Sequence, residues 1–156
     1  MILPAAHRAA WIAHTQILLD SYRRLLGRDL IARSGGAADE AERLFNAPFA
    51  ALSHGTEADP ILNYGNQTTL TLWGVTADQL IVMPSRLTAE PVNREARARF
   101  LKQTTQQGFV TGYSGVRISS TGRRFKIENA TVWSLAESPG QPLGQAAIFD
   151  RWLPVA

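Results

Sequence analysis

The sequence predicts an α+β fold: a five-stranded antiparallel sheet with helices on one face, preceded by an amphipathic helix. Three observations point there. Phe109 to Leu135 reads as two β-strands joined by a tight turn. Ala5 to Leu26 and Val92 to Gln107 space their apolar residues as helices do. The order of elements is helix, two strands, several short helices, one long helix and three strands. That order closes most simply into one antiparallel sheet with a helical cover.

The central stretch turns at Thr121-Gly122, where an X-Gly pair between strand-like runs is a hairpin signal. If Ser120 faces Arg123, then Ile118 faces Phe125, Val116 faces Ile127, Ser114 faces Asn129, Gly112 faces Thr131 and Val110 faces Trp133. Alternation puts all of these on one face. That face is apolar at its ends and polar in its middle, as the wall of a ligand cavity would be. Two other readings stay open: a one-residue slip or bulge, or polar groups that bond each other or water. The opposite face would carry Tyr113, Gly115, Arg117 and Ser119 against Arg124, Lys126, Glu128 and Ala130, basic and mostly solvated.

The remaining elements follow in order. In Ala5 to Leu26, Trp11, Leu18, Tyr22 and Leu25 form the apolar stripe, with Arg23, Arg24 and Arg28 toward the end that suits cations and Gly27 as the stop. The stripe is either core or a dimer seam. Asp39 to Phe45 predicts a short helix with Asp39 as cap, and Phe49 to Ser53 and Ile61 to Tyr64 predict paired strands around the turn cluster 55–60. Helical spacing resumes after Asn66 and stops at Gly74. Thr76 and Gln79 have the form of a capping box opening Ala77 to Val82. Gly140 marks a turn, and Leu143 to Trp152 predicts the last strand. Residues 1–33 read as a helical extension and 34–156 as the domain proper.

Composition bounds the rest. A chain of 156 residues, 45% hydrophobic and 19% charged, is ordinary for one globular domain. It has no apolar run of about 18 residues, so no transmembrane helix is expected, and His7 and Arg8 spoil any signal peptide; a cytoplasmic location is expected. The absence of cysteine excludes disulfides, zinc-thiolate sites, thiol nucleophiles and iron–sulfur clusters. The net charge of +3 comes from scattered arginines, so nucleic-acid binding is not indicated. No GxSxG, HExxH or close carboxylate pair appears. His7 and His14 stand two helical turns apart, about 10 Å, too far to share a metal, and a lone His54 in a turn cluster is a poor ligand.

DPILNYGN at 59–66, LW at 72–73, MPSRLTAEP at 83–91, QGFVTGYSGVRISSTGRRFKIENATVW at 107–133 and GQAAIF at 144–149 resemble the MEKHLA domain. That PAS-like family forms the C-terminal domain of plant class III homeodomain-leucine zipper regulators and occurs alone in bacteria and algae; this chain resembles the stand-alone type. The resemblance implies a PAS-like fold and a sensory or regulatory role. It also implies where a pocket lies: Tyr64, Asn66, Trp73, Ser85, Arg86, Thr88, Ser114, Asn129, Thr131 and Trp133 fall on the elements around the usual PAS pocket. Arg86 is either a bidentate carboxylate binder or a partner of Glu90 or of helix-end carbonyls. The light-sensing PAS type bonds flavin to a cysteine and the haem type uses a histidine on the long helix. Neither residue is present, so no covalent flavin and no haem are expected.

Three functions are therefore weighed. The leading one is a non-enzymatic sensory module binding a small molecule or a protein partner. An acid–base enzyme of the ketosteroid-isomerase-like type needs an inward carboxylate, which this register does not supply. The third is a ligand-free interaction module. A homodimer through Ala5 to Leu26 is expected if its stripe stays uncovered.

Overall fold

The computed structural model describes residues 3–137 and 140–155, the side chains of 91–93 excepted. A 3-10 turn, Ala5–His7, leads into helix α1 (Arg8–Leu26), which ends where Gly27 takes a left-handed φ of 76°. Helix α2 (Ala37–Phe45) is capped by Gly36, not by Asp39. Asp39 and Glu40 lie instead in its first turn, where carboxylates suit the dipole. Strands β1 (Ala50–His54) and β2 (Leu62–Gly65) pair antiparallel. Asn66 caps α3 (Gln67–Trp73), and the Thr76–Gln79 capping box opens α4 (Ala77–Leu80). A second 3-10 turn, Ser85–Thr88, precedes α5 (Pro91–Gln107). Strands β3 (Phe109–Ile118), β4 (Arg124–Ala136), β5 (Pro142–Phe149) and β6 (Arg151–Val155) complete the chain.

The sheet runs β2-β1-β5-β4-β3, with β6 beside the first half of β4. The single last strand expected over Leu143 to Trp152 is thus two strands. Their break has a cause in β4, where Asn129 adopts a φ of 54° and bulges the strand. On one side of the bulge Thr131 pairs with Ile148 of β5; on the other Glu128 pairs with Arg151 of β6.

The hairpin register differs by one residue from the sequence expectation. Ser119 N–H bonds Arg123 O, and Gly122, at φ 86°, closes a three-residue loop of Ser120, Thr121 and Gly122. A glycine in the left-handed region at the third position is what such a loop requires. Ile118 therefore faces Arg124, Arg117 faces Phe125 and Gly115 faces Ile127. The faces of β3 are exchanged: Tyr113 and Arg117 turn in with Phe125 and Ile127, while Ser114 turns out.

Two packed layers cover the sheet. Helix α1 lies on one face, where Trp11, Leu18 and Tyr22 join Ala51, Tyr64, Trp133 and Ala146 in one core. Trp11 Nε1 donates to Asn63 O at 3.0 Å, and Trp133 Nε1 donates to Ser21 Oγ at 3.2 Å. Trp11, Leu18 and Tyr22 are 3%, 2% and 3% exposed and Leu25 packs half-buried against the same cluster, so this stripe serves the core. On the other face Trp73 of α3 meets Ala50, Phe125, Ile127, Ala130 and Phe149. Helix α5 lies over β3 and β4 there. No helix among the described residues is long and apolar enough to cross a membrane.

Candidate functional site

Between α5 and the inner sheet face lies a cavity of about 60 Å³. Its wall draws on the strands of the sheet, on α3 and α5, and on the 3-10 turn that holds Thr88. Strand β1 brings Leu52 and His54, because alternation sends them inward while Ala51 and Ser53 meet α1. Strand β3 brings Tyr113 and Arg117, α3 brings Trp73, and α5 brings Arg97, Phe100 and Leu101.

Several contacts hold this wall. Phe100 stacks on Tyr113 with ring centroids 3.7 Å apart. The Arg117 guanidinium lies 5.4 Å from the Tyr113 ring centre, and donates from Nη1 to Val116 O at 2.8 Å and from Nη2 to the Tyr113 hydroxyl at 2.9 Å. Gly115 sits between these two side chains. A Cβ there would come within 2.7 Å of the Tyr113 hydroxyl and 3.0 Å of Arg117 Nη1, so the missing side chain makes room for their bond. Gln145 Nε2 ties α5 to β5, donating to Leu101 O at 3.0 Å and Thr105 Oγ1 at 2.8 Å.

The polar groups around the cavity are not all satisfied. Trp73 Nε1 and His54 Nε2 are buried without a hydrogen-bond partner among the described residues. His54 Nδ1 lies 3.0 Å from Gly55 O. A carbonyl only accepts, so Nδ1 carries the proton and Nε2 is left as an acceptor. Burial pushes the His54 pKa down, and the nearby Arg97 charge adds to this. His54 is therefore neutral at physiological pH.

The ten residues expected around a pocket are divided by the fold. Trp73 and Thr88 line the cavity, and Thr88 Oγ1 donates to Ser85 O at 2.8 Å. Ser85 is itself buried, its hydroxyl without a partner among the described residues. Tyr64 and Trp133 lie on the α1 face, Tyr64 against Trp11 and Trp133 against Tyr22. Thr131 shares that face, since it pairs with Ile148, which pairs with Ala51. Asn66 is a buried structural cap. Arg86 is exposed and pairs with Asp59 at 3.2 Å, not with Glu90. Ser114 and Asn129 border a surface hollow with Gly112, Glu128, Asp150 and Arg151; the loop geometry and the β4 bulge put them outside.

The residues missed are Arg97, Phe100, Tyr113, Arg117, His54 and Gln145. A signal for the first existed. Arg97, Phe100, Leu101 and Thr104 recur at three-, four- and seven-residue steps, so one arginine stands on the inward stripe of α5. Tyr113 and Arg117 were hidden by the register.

The model of the MEKHLA domain family matches residues 12–154. Among curated proteins, the homeobox-leucine zipper protein ATHB-8 of Arabidopsis thaliana is 28% identical over 156 residues, covering 96% of this chain and 17% of the relative. HOX32 of Oryza sativa subsp. japonica is 26% identical over 151 residues, covering 96% of this chain and 17% of that protein. The chain thus spans about a sixth of the curated relatives it matches. Among solved structures, a PAS domain from Colwellia psychrerythraea superposes with a TM-score of 0.62 at 19% identity, covering 75% of this chain and 94% of that one. A light-oxygen-voltage domain studied with a flavin analogue superposes at 0.59 and 15% identity, covering 76% of this chain and 85% of that one. The sheet order, the helical cover and a family match over nearly the whole chain lead to one conclusion: this chain belongs to the MEKHLA domain family and has a PAS-like fold.

Proposed function

We propose that the chain is a non-enzymatic sensory or regulatory module that holds a small molecule in the cavity between α5 and the inner sheet face. The MEKHLA family and the PAS-like fold support the sensory role. The observation that carries the binding role is the pair of unpartnered ring nitrogens, Trp73 Nε1 and His54 Nε2, on side chains that line the cavity. A buried polar group without a partner costs roughly 1–3 kcal/mol. A ligand with one acceptor and one donor would remove both penalties. No aspartate or glutamate lines the cavity among the described residues, which supports this reading over a ketosteroid-isomerase-like enzyme. A cytoplasmic location is part of this reading; His7 and Arg8, which interrupt any apolar leader core, support it.

The light-sensing members of the fold raise the question of a flavin. The residues here do not fit one. No cysteine exists to form an adduct. The cavity of about 60 Å³, walled in part by Phe100 stacked on Tyr113, is far below the roughly 300 Å³ at which drug-sized pockets begin. His54, the histidine that lines it, belongs to β1 and not to the long helix.

The test is a small-fragment titration followed by ¹H–¹⁵N NMR. Binding molecules are expected to move the indole N–H of Trp73 and the amides of Leu52 and Gln145, leaving Asn129 and Ser114 still. Trp73→Phe should remove most of the thermal stabilisation that such fragments confer. Shifts centred on Asn129 and Ser114, or no shifts with any fragment, overturn the proposal.

The burial of the α1 stripe favours a partner contact elsewhere. Among the described residues the large exposed apolar side chains are Val82, Leu87, Leu153 and Val155. Leu153 and Val155 lie on β6, which among the described residues pairs with β4 alone and leaves its other edge open. We assign to this edge the homodimer contact that the sequence placed on Ala5 to Leu26, because an open edge with apolar side chains is what strand addition uses.

A further inference from the structure

We propose that the molecule held in this cavity is a small carboxylic acid, bound as its anion by Arg97 and Arg117 with its apolar part against Trp73, Ile127 and Phe149. This rests on the cavity being a ligand site and names the chemistry of what enters it.

The first observation is a charge imbalance. Two guanidiniums line the cavity and no carboxylate does, among the described residues. Six arginines elsewhere meet acids: Arg8 meets Glu42, Arg23 meets Asp29, Arg33 meets Asp20 and Glu40, Arg86 meets Asp59, Arg99 meets Glu95 and Arg124 meets Glu90, while Arg24, Arg43 and Arg94 donate to backbone carbonyls. Arg97 makes no ion pair and no hydrogen bond among the described residues. Burial and the neighbouring Arg117 charge bring its pKa down to about 10, so it stays charged at neutral pH while resisting that charge. An anion between the two arginines relieves the burial cost and the repulsion together.

The second observation is the orientation of Arg117. Its bonds to Val116 O and the Tyr113 hydroxyl occupy one hydrogen on each terminal nitrogen. The guanidinium has five N–H donors, so others are left for a ligand while its plane is held.

The third is the rest of the wall. Trp73, Ile127, Val132 and Phe149 are apolar or aromatic. Inorganic phosphate would have nothing to set against them, whereas a short alkyl chain would. A volume of about 60 Å³ admits a few heavy atoms and no fused ring system. His54 Nε2, an acceptor, suits a hydroxyl on the acid.

The experiment uses propionate, glycolate, propionamide and inorganic phosphate as probes at constant ionic strength, on the whole chain and on Arg97→Gln and Arg97→Lys. The Trp73 indole N–H reports occupancy. Propionate or glycolate is expected to bind at least about tenfold more tightly than propionamide, as the loss of a charge-assisted hydrogen bond implies. Arg97→Gln should erase that preference, and Arg97→Lys should keep part of it. Because Arg97 is only partly buried on α5, both variants are expected to fold, which their amide spectra check directly. If propionamide binds as tightly as propionate, or if Arg97→Gln leaves the preference unchanged, the anion assignment falls while the cavity site stands. Phosphate binding more tightly than either acid overturns the carboxylate class. If neither acid moves the Trp73 resonance but neutral fragments do, the anion assignment alone fails. If nothing moves it, both readings fail.

Discussion

At the residue scale, Asn66 shows how a polar side chain in a PAS-like chain can serve the fold and not a ligand. Its Oδ1 accepts from Ala51 N at 3.0 Å, Thr69 N at 3.1 Å and Thr69 Oγ1 at 2.9 Å. Its Nδ2 donates to Leu44 O at 3.1 Å and Phe49 O at 2.8 Å. One amide thus caps α3, starts β1 and closes the end of α2. Asn66→Ala is expected to cost about 2–4 kcal/mol, since it removes a cap and strands buried groups. In urea this appears as a lower midpoint at unchanged slope. Fragment-induced shifts at Trp73 should survive it; loss of those shifts at unchanged stability would return Asn66 to the ligand site. His14 supplies a pH signature. Ser53 gives its proton to Asn63 Oδ1 at 2.5 Å and so accepts from His14 Nε2 at 2.8 Å. Burial lowers the His14 pKa from 6.5 to about 4. Between those values the unfolded chain binds a proton that the folded chain does not. Stability contributed by the neutral ring is complete above the unfolded pKa and declines as pH falls through this window, by on the order of 2 kcal/mol. His54, lowered in the same direction, adds to the decline. His14→Gln should therefore make the drop in melting temperature between about pH 7 and about pH 4.5 shallower, not abolish it. An unchanged drop would mean that His14 does not titrate with unfolding.

At the element scale, β1 and β5 approach each other closely at the end of the cavity wall. Gly144 has a φ of 123°, and a Cβ there would lie 1.8 Å from His54 O. Gly144→Ala must therefore separate two backbones in a disfavoured conformation, at an expected cost of about 3 kcal/mol or more. Chemical denaturation measures this directly, and a loss below about 1 kcal/mol would mean that the strands part easily. That contact could not be read from the sequence, because it depends on where two distant strands meet. Local chemistry was legible. Gly27 and Gly74 end helices and the Thr76–Gln79 box opens one, each within a few residues of its cause. The hairpin was legible as an element but not in register. Thr121-Gly122 suits a two-residue loop, yet Gly122 serves as the last residue of three. One residue of slip moved Ser114 out and Tyr113 and Arg117 in, so the candidate site inherited the error. The bulge at Asn129 was equally silent, since a left-handed asparagine has no sequence mark beyond being asparagine. Trp73 and Thr88 were found because both lie on elements whose placement did not depend on that register.

At the scale of the whole molecule, α1 is the other half of the core. The inner face holds the cavity, and the opposite face of the same sheet has α1 as its cover. Trp11, Leu18, Leu19 and Tyr22 are each at most 3% exposed. Burying a side chain of this kind contributes about 1.5–3 kcal/mol. Four of them approach the roughly 5–15 kcal/mol that separates a folded domain from its unfolded chain. Their partners on the sheet would also be bared. Tyr64, packed on Trp11 at 4.9 Å between ring centroids, and Trp133, packed on Tyr22 at 5.0 Å, would face solvent. The Trp133 indole would lose Ser21. Deleting residues 1–26 is therefore expected to unfold or aggregate the protein, with loss of dispersed amide signals, and not to yield a folded monomer. Leu153→Lys on the open edge of β6 should do the reverse: it should leave the melting temperature nearly unchanged while lowering any self-association seen by light scattering. A truncated chain that stays folded and loses only its dimer would restore α1 as the interface. A Leu153→Lys chain with unaltered self-association would remove β6 from it.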